Sequence, residues 1–131
     1  MTREEIIAFA RDWDPQPFHI DEEAAKRSPF GGLIASGWQT AALCMRLAVD
    51  GLLAGSTSVG SPGVEELRWL KPVRPGDALT LELGLDEVTP SRSKPDRGSV
   101  KVTYVCKNQK SETVMTMTAR VIFLRRAAAL G

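Results

Sequence analysis

An aspartate and the chain's one histidine stand five residues apart in the segment Asp14-Pro15-Gln16-Pro17-Phe18-His19. A carboxylate and an imidazole held side by side can take up and deliver protons, which is general acid–base chemistry. The two prolines restrict the backbone between the two groups, and such a pair must keep its geometry through a reaction. Spacing alone also fits a structural role, in which Asp14 bends or caps a turn and His19 is a buried core histidine.

Three aromatic residues, Trp13, Phe18 and Phe30, could exclude water from this pair. Desolvation disfavours the charged form of an ionisable group, so it raises the pKa of a carboxyl and lowers that of an imidazole. The sequence therefore predicts an Asp14 pKa above its ordinary value.

A second candidate is the dipeptide Ser36-Gly37, which stands at the start of a long apolar segment. The first amides of a helix have no intrahelical acceptor, and the helix dipole places partial positive charge there. Because glycine has no side chain, a carbonyl oxygen could approach the Gly37 amide closely and be stabilised as it gains negative charge. The alternative is a serine N-cap followed by a glycine selected for tight packing.

Other reactive side chains give weaker signals. Arg92, Lys94 and Arg97 could bind a phosphate, although a solvated hairpin loop is the better explanation of these charges. Cys44 and Cys106 lie in apolar stretches, which favours two buried free thiols over a disulfide. No second histidine could activate a thiol, and the spacing predicts no metal site.

These candidates depend on a helical first half. Thr2 and Glu5 fit a capping box at the start of a helix that runs to Trp13. The prolines predict an extended segment over residues 14–20, and Asp21 can cap a short helix that ends near Arg27. A third, longer helix is predicted over residues 38–53, and its largely apolar composition predicts that it is mostly buried.

The second half predicts antiparallel strands. Apolar residues alternate with polar ones, which indicates sheets with one buried face. We expect strands over residues 64–70, 79–86, 99–106 and 115–123, a turn at 71–77, a polar loop at 89–98 and a frayed tail at 125–131. This order predicts an α+β fold in which a curved sheet wraps around the third helix.

Composition narrows the class of protein. The chain has 131 residues, of which 43% are hydrophobic and 25% charged, so we expect one domain over residues 1–131. The formal charge of +1 gives no excess that would attract nucleic acid or anionic membranes, and we expect neither as a partner. No apolar run could span a bilayer, and the N-terminus lacks a secretory signal pattern, so a cytoplasmic location is expected.

Taken together, three blocks resemble a known family. Residues 9–21, residues 24–37 with Phe30-Gly31-Gly32-Leu33 and Ser36-Gly37, and the turn Lys71-Pro72-Val73-Arg74-Pro75-Gly76-Asp77 are similar to MaoC-like dehydratases. Within that family they resemble the (R)-specific enoyl-CoA hydratase group. The resemblance covers about residues 3–124.

The resemblance implies a hot-dog fold, a homodimer and the reversible syn addition of water to a trans-2-enoyl thioester, giving an (R)-3-hydroxyacyl thioester. It also implies that Asp14 activates the water, His19 handles the second proton and the Gly37 amide binds the thioester oxygen. No cofactor or metal is expected, because coenzyme A or a carrier pantetheine is part of the substrate. The residues expected to contact substrate are Ser36, Phe18, Phe30, Trp38 and Arg92.

Two departures from the family pattern leave alternatives open. Relatives have a strand before the first helix, whereas this sequence starts directly at that helix, so either the strand is lost or the chain begins late. Absence of the strand would leave a sheet edge uncovered and weaken the domain. Some relatives support the catalytic carboxylate with a hydroxyl on the central helix, where this chain has Met45, and Ser36 is a candidate replacement. A hot-dog thioesterase and a catalytically silent subunit of a hot-dog dimer are therefore the alternative functions.

Overall fold

Helices precede strands along the chain in the computed structural model, which describes residues 1–125. The helices are α1 (Arg3–Trp13), α2 (Pro17–Ile20), α3 (Glu22–Lys26) and α4 (Gly37–Ala48), and α4 continues into a π-helical turn at Val49–Leu53. The strands are β1 (Ser58–Trp69), β2 (Thr80–Pro90), β3 (Arg97–Lys107) and β4 (Thr113–Leu124).

Side-chain caps fix where the helices begin, as predicted. The Thr2 hydroxyl accepts a hydrogen bond from the Glu5 amide at 3.1 Å, and the Asp21 carboxylate accepts one from the Ala24 amide at 3.2 Å. The Ser36 hydroxyl accepts one from the Trp38 amide at 3.3 Å. Each cap satisfies an amide that has no acceptor within its own helix.

The prediction of an extended chain over residues 14–20 is wrong in its second part. Gln16 is extended, but Pro17 begins the four-residue helix α2, which contains His19. Proline is favoured at the first position of a helix because its fixed φ suits the helix and its missing N–H would have no partner there. Pro17 therefore starts a helix and does not extend the chain.

The strands form one antiparallel sheet in the order β1-β4-β3-β2. The first strand begins at Ser58 rather than at residue 64, and it includes Gly60, Pro62 and Gly63, which are poor strand formers. Its pairing with β4 shifts register around these residues. The predicted polar loop is also shorter, because Thr89 and Pro90 pair with Ser99 and Gly98 and leave residues 91–96 between the strands.

The core lies between α4 and the inner face of the sheet, which confirms the predicted α+β arrangement. Helix α4 contributes Cys44 and Ala48. Alternate residues of the two central strands pack against them, namely Val102, Tyr104, Cys106, Met115, Met117, Ala119 and Val121. The hydrophobic alternation thus correctly predicted which face of β3 and β4 is buried.

The prediction that the central helix is mostly buried is wrong for this chain by itself. Trp38 is 60% exposed, and Met45 is exposed on the same helix. On the edge strand β2, Leu85 is exposed although it was assigned to the buried face. Four strands cover only one side of α4, so apolar residues on its other side remain in contact with solvent.

No helix within residues 1–125 is long and apolar enough to cross a membrane. Most of the tail that was predicted to fray, residues 126–131, lies outside the described residues.

Candidate active site

Asp14 stands at the turn between α1 and α2. Its amide makes the last hydrogen bond of α1, to the Ala10 carbonyl at 2.8 Å, and its backbone then leaves the helical conformation (φ −157°, ψ 68°). The carboxylate lies toward the beginning of α4. Oδ1 accepts a hydrogen bond from Gln16 Nε2 at 2.7 Å, and Oδ2 accepts one from Ser36 Oγ, also at 2.7 Å. Each carboxylate oxygen thus has a side-chain donor, and the side chain is only 17% exposed.

His19 lies beside this carboxylate and is 4% exposed. Its Nδ1 is 2.7 Å from the Ile34 carbonyl oxygen, and because a carbonyl can only accept, Nδ1 carries a hydrogen. Its Nε2 is 3.3 Å from Asp14 Oδ2. The backbone contact therefore fixes which ring nitrogen exchanges a proton with Asp14.

The Asp14 carboxyl is a stronger acid than the sequence predicted. Burial acts to raise its pKa, but the hydrogen bonds from Gln16 and Ser36 and the charge of His19 outweigh burial, so the pKa lies below its ordinary value. The expectation of a raised pKa considered desolvation only and is wrong. Asp14 is consequently a carboxylate at neutral pH, which is the form that accepts a proton.

An extended segment before α4 brings Ser36 and Gly37 to this pair. The Ile34 amide donates to the Phe18 carbonyl at 3.2 Å, and the Ala35 amide donates to the Val73 carbonyl at 2.8 Å. Ser36, which is fully buried, then joins Asp14 to the helix start. Gly37 is the first residue of α4, so its amide N–H has no intrahelical acceptor.

A cavity of about 370 Å³ opens beside His19 and Gly37. Its walls are mostly apolar, and its lining residues are Phe18, His19, Phe30, Ile34, Ala35, Gly37, Thr40, Trp69, Leu70, Lys71, Pro72 and Val73. Asp14 and Ser36 are not in this lining, and Asp14 meets the cavity through its contact with His19 Nε2. A mostly apolar cavity with a few convergent polar groups is typical of a small-molecule site.

The structure separates three of the predicted residues from this cavity. Trp38 points outward and packs edge-on against Trp69, with ring centroids 5.1 Å apart. Arg92 lies on the β2–β3 loop and lines a different cavity, together with Pro62 and Arg120. Trp13 is 74% exposed, so it does not desolvate the acid–base pair. Trp13 and Trp38 are close to site residues in the sequence, and Arg92 carries a charge that could bind a phosphate. None of the three side chains lines this cavity in the structure.

Three residues of the site were missed by the sequence analysis. Gln16 donates to Asp14, Thr40 lines the cavity one turn after Gly37, and Trp69 packs on Gly37. The spacing of Thr40 from Gly37 on a helix was a usable signal. Nothing local in the sequence connects Trp69 with a glycine 32 positions away.

The described residues include two free thiols and no cluster of potential metal ligands. Cys44 and Cys106 are free and buried, as predicted. The contact with the Cys106 thiol and burial both raise the pKa of Cys44, so it is a poor nucleophile. Among residues 1–125, no group of three or more histidine, cysteine, aspartate or glutamate side chains could hold a metal ion.

Comparison with known proteins identifies one family over most of the chain. The MaoC like domain matches residues 1–118. The crystal structure of a MaoC-like dehydratase from Rhodospirillum rubrum superposes with a TM-score of 0.87 and is 48% identical, covering 96% of this chain and 86% of that one. The R-hydratase PhaJ1 from Pseudomonas aeruginosa superposes with a TM-score of 0.75 at 26% identity, covering 96% and 76% of the two chains.

Two curated relatives match this chain over 125 and 99 residues. The Bacillus subtilis protein YdeM, which is named as uncharacterized, is 30% identical over 125 residues, covering 95% of this chain and 87% of YdeM. A 3-hydroxybutyryl-CoA dehydratase from Methylorubrum extorquens is 30% identical over 99 residues, covering 72% of this chain and 59% of that relative. The antiparallel sheet around a central helix and the match over residues 1–118 together establish that the chain belongs to the MaoC-like dehydratase domain family, with the hot-dog fold.

Proposed function

We propose that the protein is a hydratase/dehydratase that interconverts trans-2-enoyl and (R)-3-hydroxyacyl thioesters by the combined action of Asp14 and His19. The observation that carries this proposal is the 3.3 Å contact between Asp14 Oδ2 and His19 Nε2, beside a cavity that also contains the start of α4. The Methylorubrum relative named as a dehydratase and the Pseudomonas R-hydratase support the same reaction class.

Proton transfer follows from the fixed hydrogen bonds. Nδ1 of His19 is committed to the Ile34 carbonyl, so Nε2 carries the exchangeable proton when the ring is charged. Asp14 takes one proton from water as the water oxygen bonds to C3 of the enoyl group, and His19 delivers its Nε2 proton to C2. The proton on Asp14 then passes to Nε2, which restores both groups and completes the addition of one water.

The reaction also requires that the negative charge developing on the thioester oxygen be stabilised. Electrons move onto that oxygen when C3 is attacked and return when C2 is protonated. The Gly37 amide at the N-terminus of α4 is the proposed donor, since it has no acceptor within the helix and Gly37 is one of the residues that line the cavity. Addition from the side of His19 and Asp14 delivers both parts of water to one face of the double bond, which makes the addition syn.

The rest of the substrate is bound by the mostly apolar cavity walls. Phe18 and Phe30, whose ring centroids are 5.3 Å apart, form one wall for an acyl chain. Coenzyme A or a carrier pantetheine enters as part of the thioester, so the proposal includes no separate cofactor. We include a homodimer in the proposal, because α4 and the edge strand β2 expose apolar residues that a second copy could cover.

The test uses crotonyl-CoA, a short trans-2-enoyl thioester, and follows the loss of its conjugated-enoyl absorbance. The wild-type protein is expected to hydrate it, and Asp14→Asn is expected to lose about 10²–10⁴-fold in kcat, because the amide cannot accept the water proton. Asp12→Asn, the same change at an exposed position, is the matched control and should keep the wild-type rate.

Other outcomes would overturn the proposal. Full activity in Asp14→Asn would remove Asp14 as the base. Release of free coenzyme A, measured with a thiol-reactive chromogen, would indicate a thioesterase. Turnover that occurs only after a second hot-dog chain is added would indicate a silent subunit.

A further inference from the structure

Trp69 makes a hydrogen bond to the first residue of the central helix. Its indole Nε1 donates to the Gly37 carbonyl oxygen at 2.7 Å. Trp69 also lines the same cavity as His19 and Gly37. The contact joins the end of β1 to the beginning of α4 across 32 positions of sequence.

The indole ring also packs directly on the Gly37 backbone. A Cβ atom at Gly37 would lie 2.5 to 2.8 Å from three atoms of the Trp69 ring, which is closer than real contacts allow. The absence of a side chain at Gly37 is therefore required by Trp69. Gly37 and Trp69 both line the cavity at this contact.

Trp69 is itself held by the sheet. It is the last residue of β1 and pairs with Met115 of β4, which is fully buried. The next residue, Leu70, donates its amide to the Val114 carbonyl at 2.8 Å. The indole is thus mounted on the rigid core even though the side chain is 44% exposed.

We propose that Trp69 is a positioning residue, which fixes the first peptide groups of α4 so that the Gly37 amide faces the substrate carbonyl. The inference rests on the proposed function, in which that amide stabilises the thioester oxygen. Helix ends fray, and a donor stabilises an oxyanion only when it lies about 2.7–3.1 Å from the oxygen. The indole that donates to the Gly37 carbonyl restrains the Gly37–Trp38 peptide plane. Its ring packs against Gly37 itself and so limits rotation of the preceding peptide group, which carries the Gly37 N–H.

The test replaces Trp69 with phenylalanine, which keeps an aromatic ring in the wall and removes the donor. With crotonyl-CoA, Trp69→Phe is expected to lower kcat by about tenfold or more, because small misplacement of a catalytic donor is costly. KM is expected to change by less than about threefold, since the ground-state thioester keeps its apolar wall. Trp13→Phe, the same change at an exposed indole, should leave both constants unchanged.

A spectroscopic measurement separates this inference from the proposed function. Butyryl-CoA has no double bond to hydrate, so its binding can be followed by the ¹⁵N–¹H resonance of Gly37 whether or not the protein turns over. The Gly37 resonance is expected to shift on binding in the wild type and to shift much less in Trp69→Phe. An equal shift in the two proteins, or no shift in the wild type, would overturn the inference.

The kcat and KM of Trp69→Phe can also overturn the inference. A wild-type kcat in Trp69→Phe, or a raised KM with unchanged kcat, would make Trp69 a wall of the cavity and nothing more. If Trp69→Phe does not fold, hydrogen exchange of the wild-type indole Nε1–H replaces it. Slow exchange is expected for a bonded proton on a partly exposed ring, and fast exchange would overturn the inference.

Discussion

At the scale of single residues, the carboxylate of Asp14 is controlled by neutral donors rather than by an apolar environment. Gln16 and Ser36 each donate to one oxygen and favour the charged form. Burial acts to raise the Asp14 pKa, but these two bonds together with the charge of His19 lower it below its ordinary value. The contacts that position Asp14 therefore also widen, on the acid side, the pH range in which it is charged and able to accept a proton.

Removal of Ser36 is expected to move the acid side of the kcat/KM profile to higher pH. Asp14 must be ionised to accept a proton, and Ser36→Ala deletes a bond that favours the ionised form, so the Asp14 pKa rises. Gln16→Ala is expected to act in the same direction without removing a helix cap. The measurement is kcat/KM for crotonyl-CoA across acid pH.

Ser28→Ala is the matched control for this profile, because the Ser28 hydroxyl donates to the Ala25 carbonyl and not to Asp14. Its acid limb should coincide with that of the wild type. A limb that stays in place in both Ser36→Ala and Gln16→Ala would contradict the account of Asp14.

Gly37→Ala is expected to destabilise the fold by about 1–3 kcal/mol, because the new Cβ would overlap the Trp69 ring. Gly51→Ala is the control, since nothing lies within 4 Å of a Cβ at that position. Because alanine favours the helical turn that contains this residue, the substitution should leave the stability unchanged or raise it by up to about 1 kcal/mol. Urea unfolding measures both. A Gly37→Ala protein as stable as the wild type would show that the indole moves aside without cost.

At the scale of elements, short segments do the positioning. Helix α2 has only four residues, yet it orients His19 between the Ile34 carbonyl and Asp14. Helix α4 supplies the Gly37 amide, and the end of β1 supplies Trp69. Because the site is assembled from the ends of several elements, its precision depends on how firmly those elements pack on the sheet.

The sheet core should therefore be sensitive to truncation. Met115→Ala, at a fully buried position of β4, is expected to lower the free energy of unfolding by about 2–5 kcal/mol through lost burial and a cavity. Val64→Ala, at an exposed position of β1, should change it by less than about 0.5 kcal/mol. Chemical denaturation of the two variants tests this, and equal losses would contradict the assignment of the core.

At the scale of the whole molecule, one chain leaves its central helix partly uncovered. Trp38 and Met45 are exposed on α4, whose other side packs on the sheet. Burying apolar surface is worth about 25 cal/mol per Å², so a second copy that covers this side would gain stability. This is the physical basis of the proposed homodimer.

Sedimentation is expected to give twice the mass of the 14.3 kDa chain. Met45→Glu is expected to raise the monomer fraction, because it would place a charge in an apolar contact. Lys26→Glu, a charge change at an exposed position of α3, should leave the dimer intact. A wild-type protein that is monomeric at micromolar concentrations and fully active would contradict the dimer.

The sequence by itself determined the order of elements, the buried faces of β3 and β4, the helix caps and the association of Asp14 with His19. These are local properties, set by hydrophobic period, capping residues and spacing within a short segment. Helix α2 was also within reach, had Pro17 been interpreted as a first helical residue.

Only the tertiary structure decided which distant residues complete the site. The lowered pKa of Asp14 depends on Ser36, 22 positions away, and the close packing at Gly37 depends on Trp69. The tertiary structure also places Arg92, Trp38 and Trp13 outside the lining of the cavity. Such contacts depend on how separate elements are placed against one another. Hydrophobic periodicity shows which face of an element is buried, but it does not show which residues of another element that face meets.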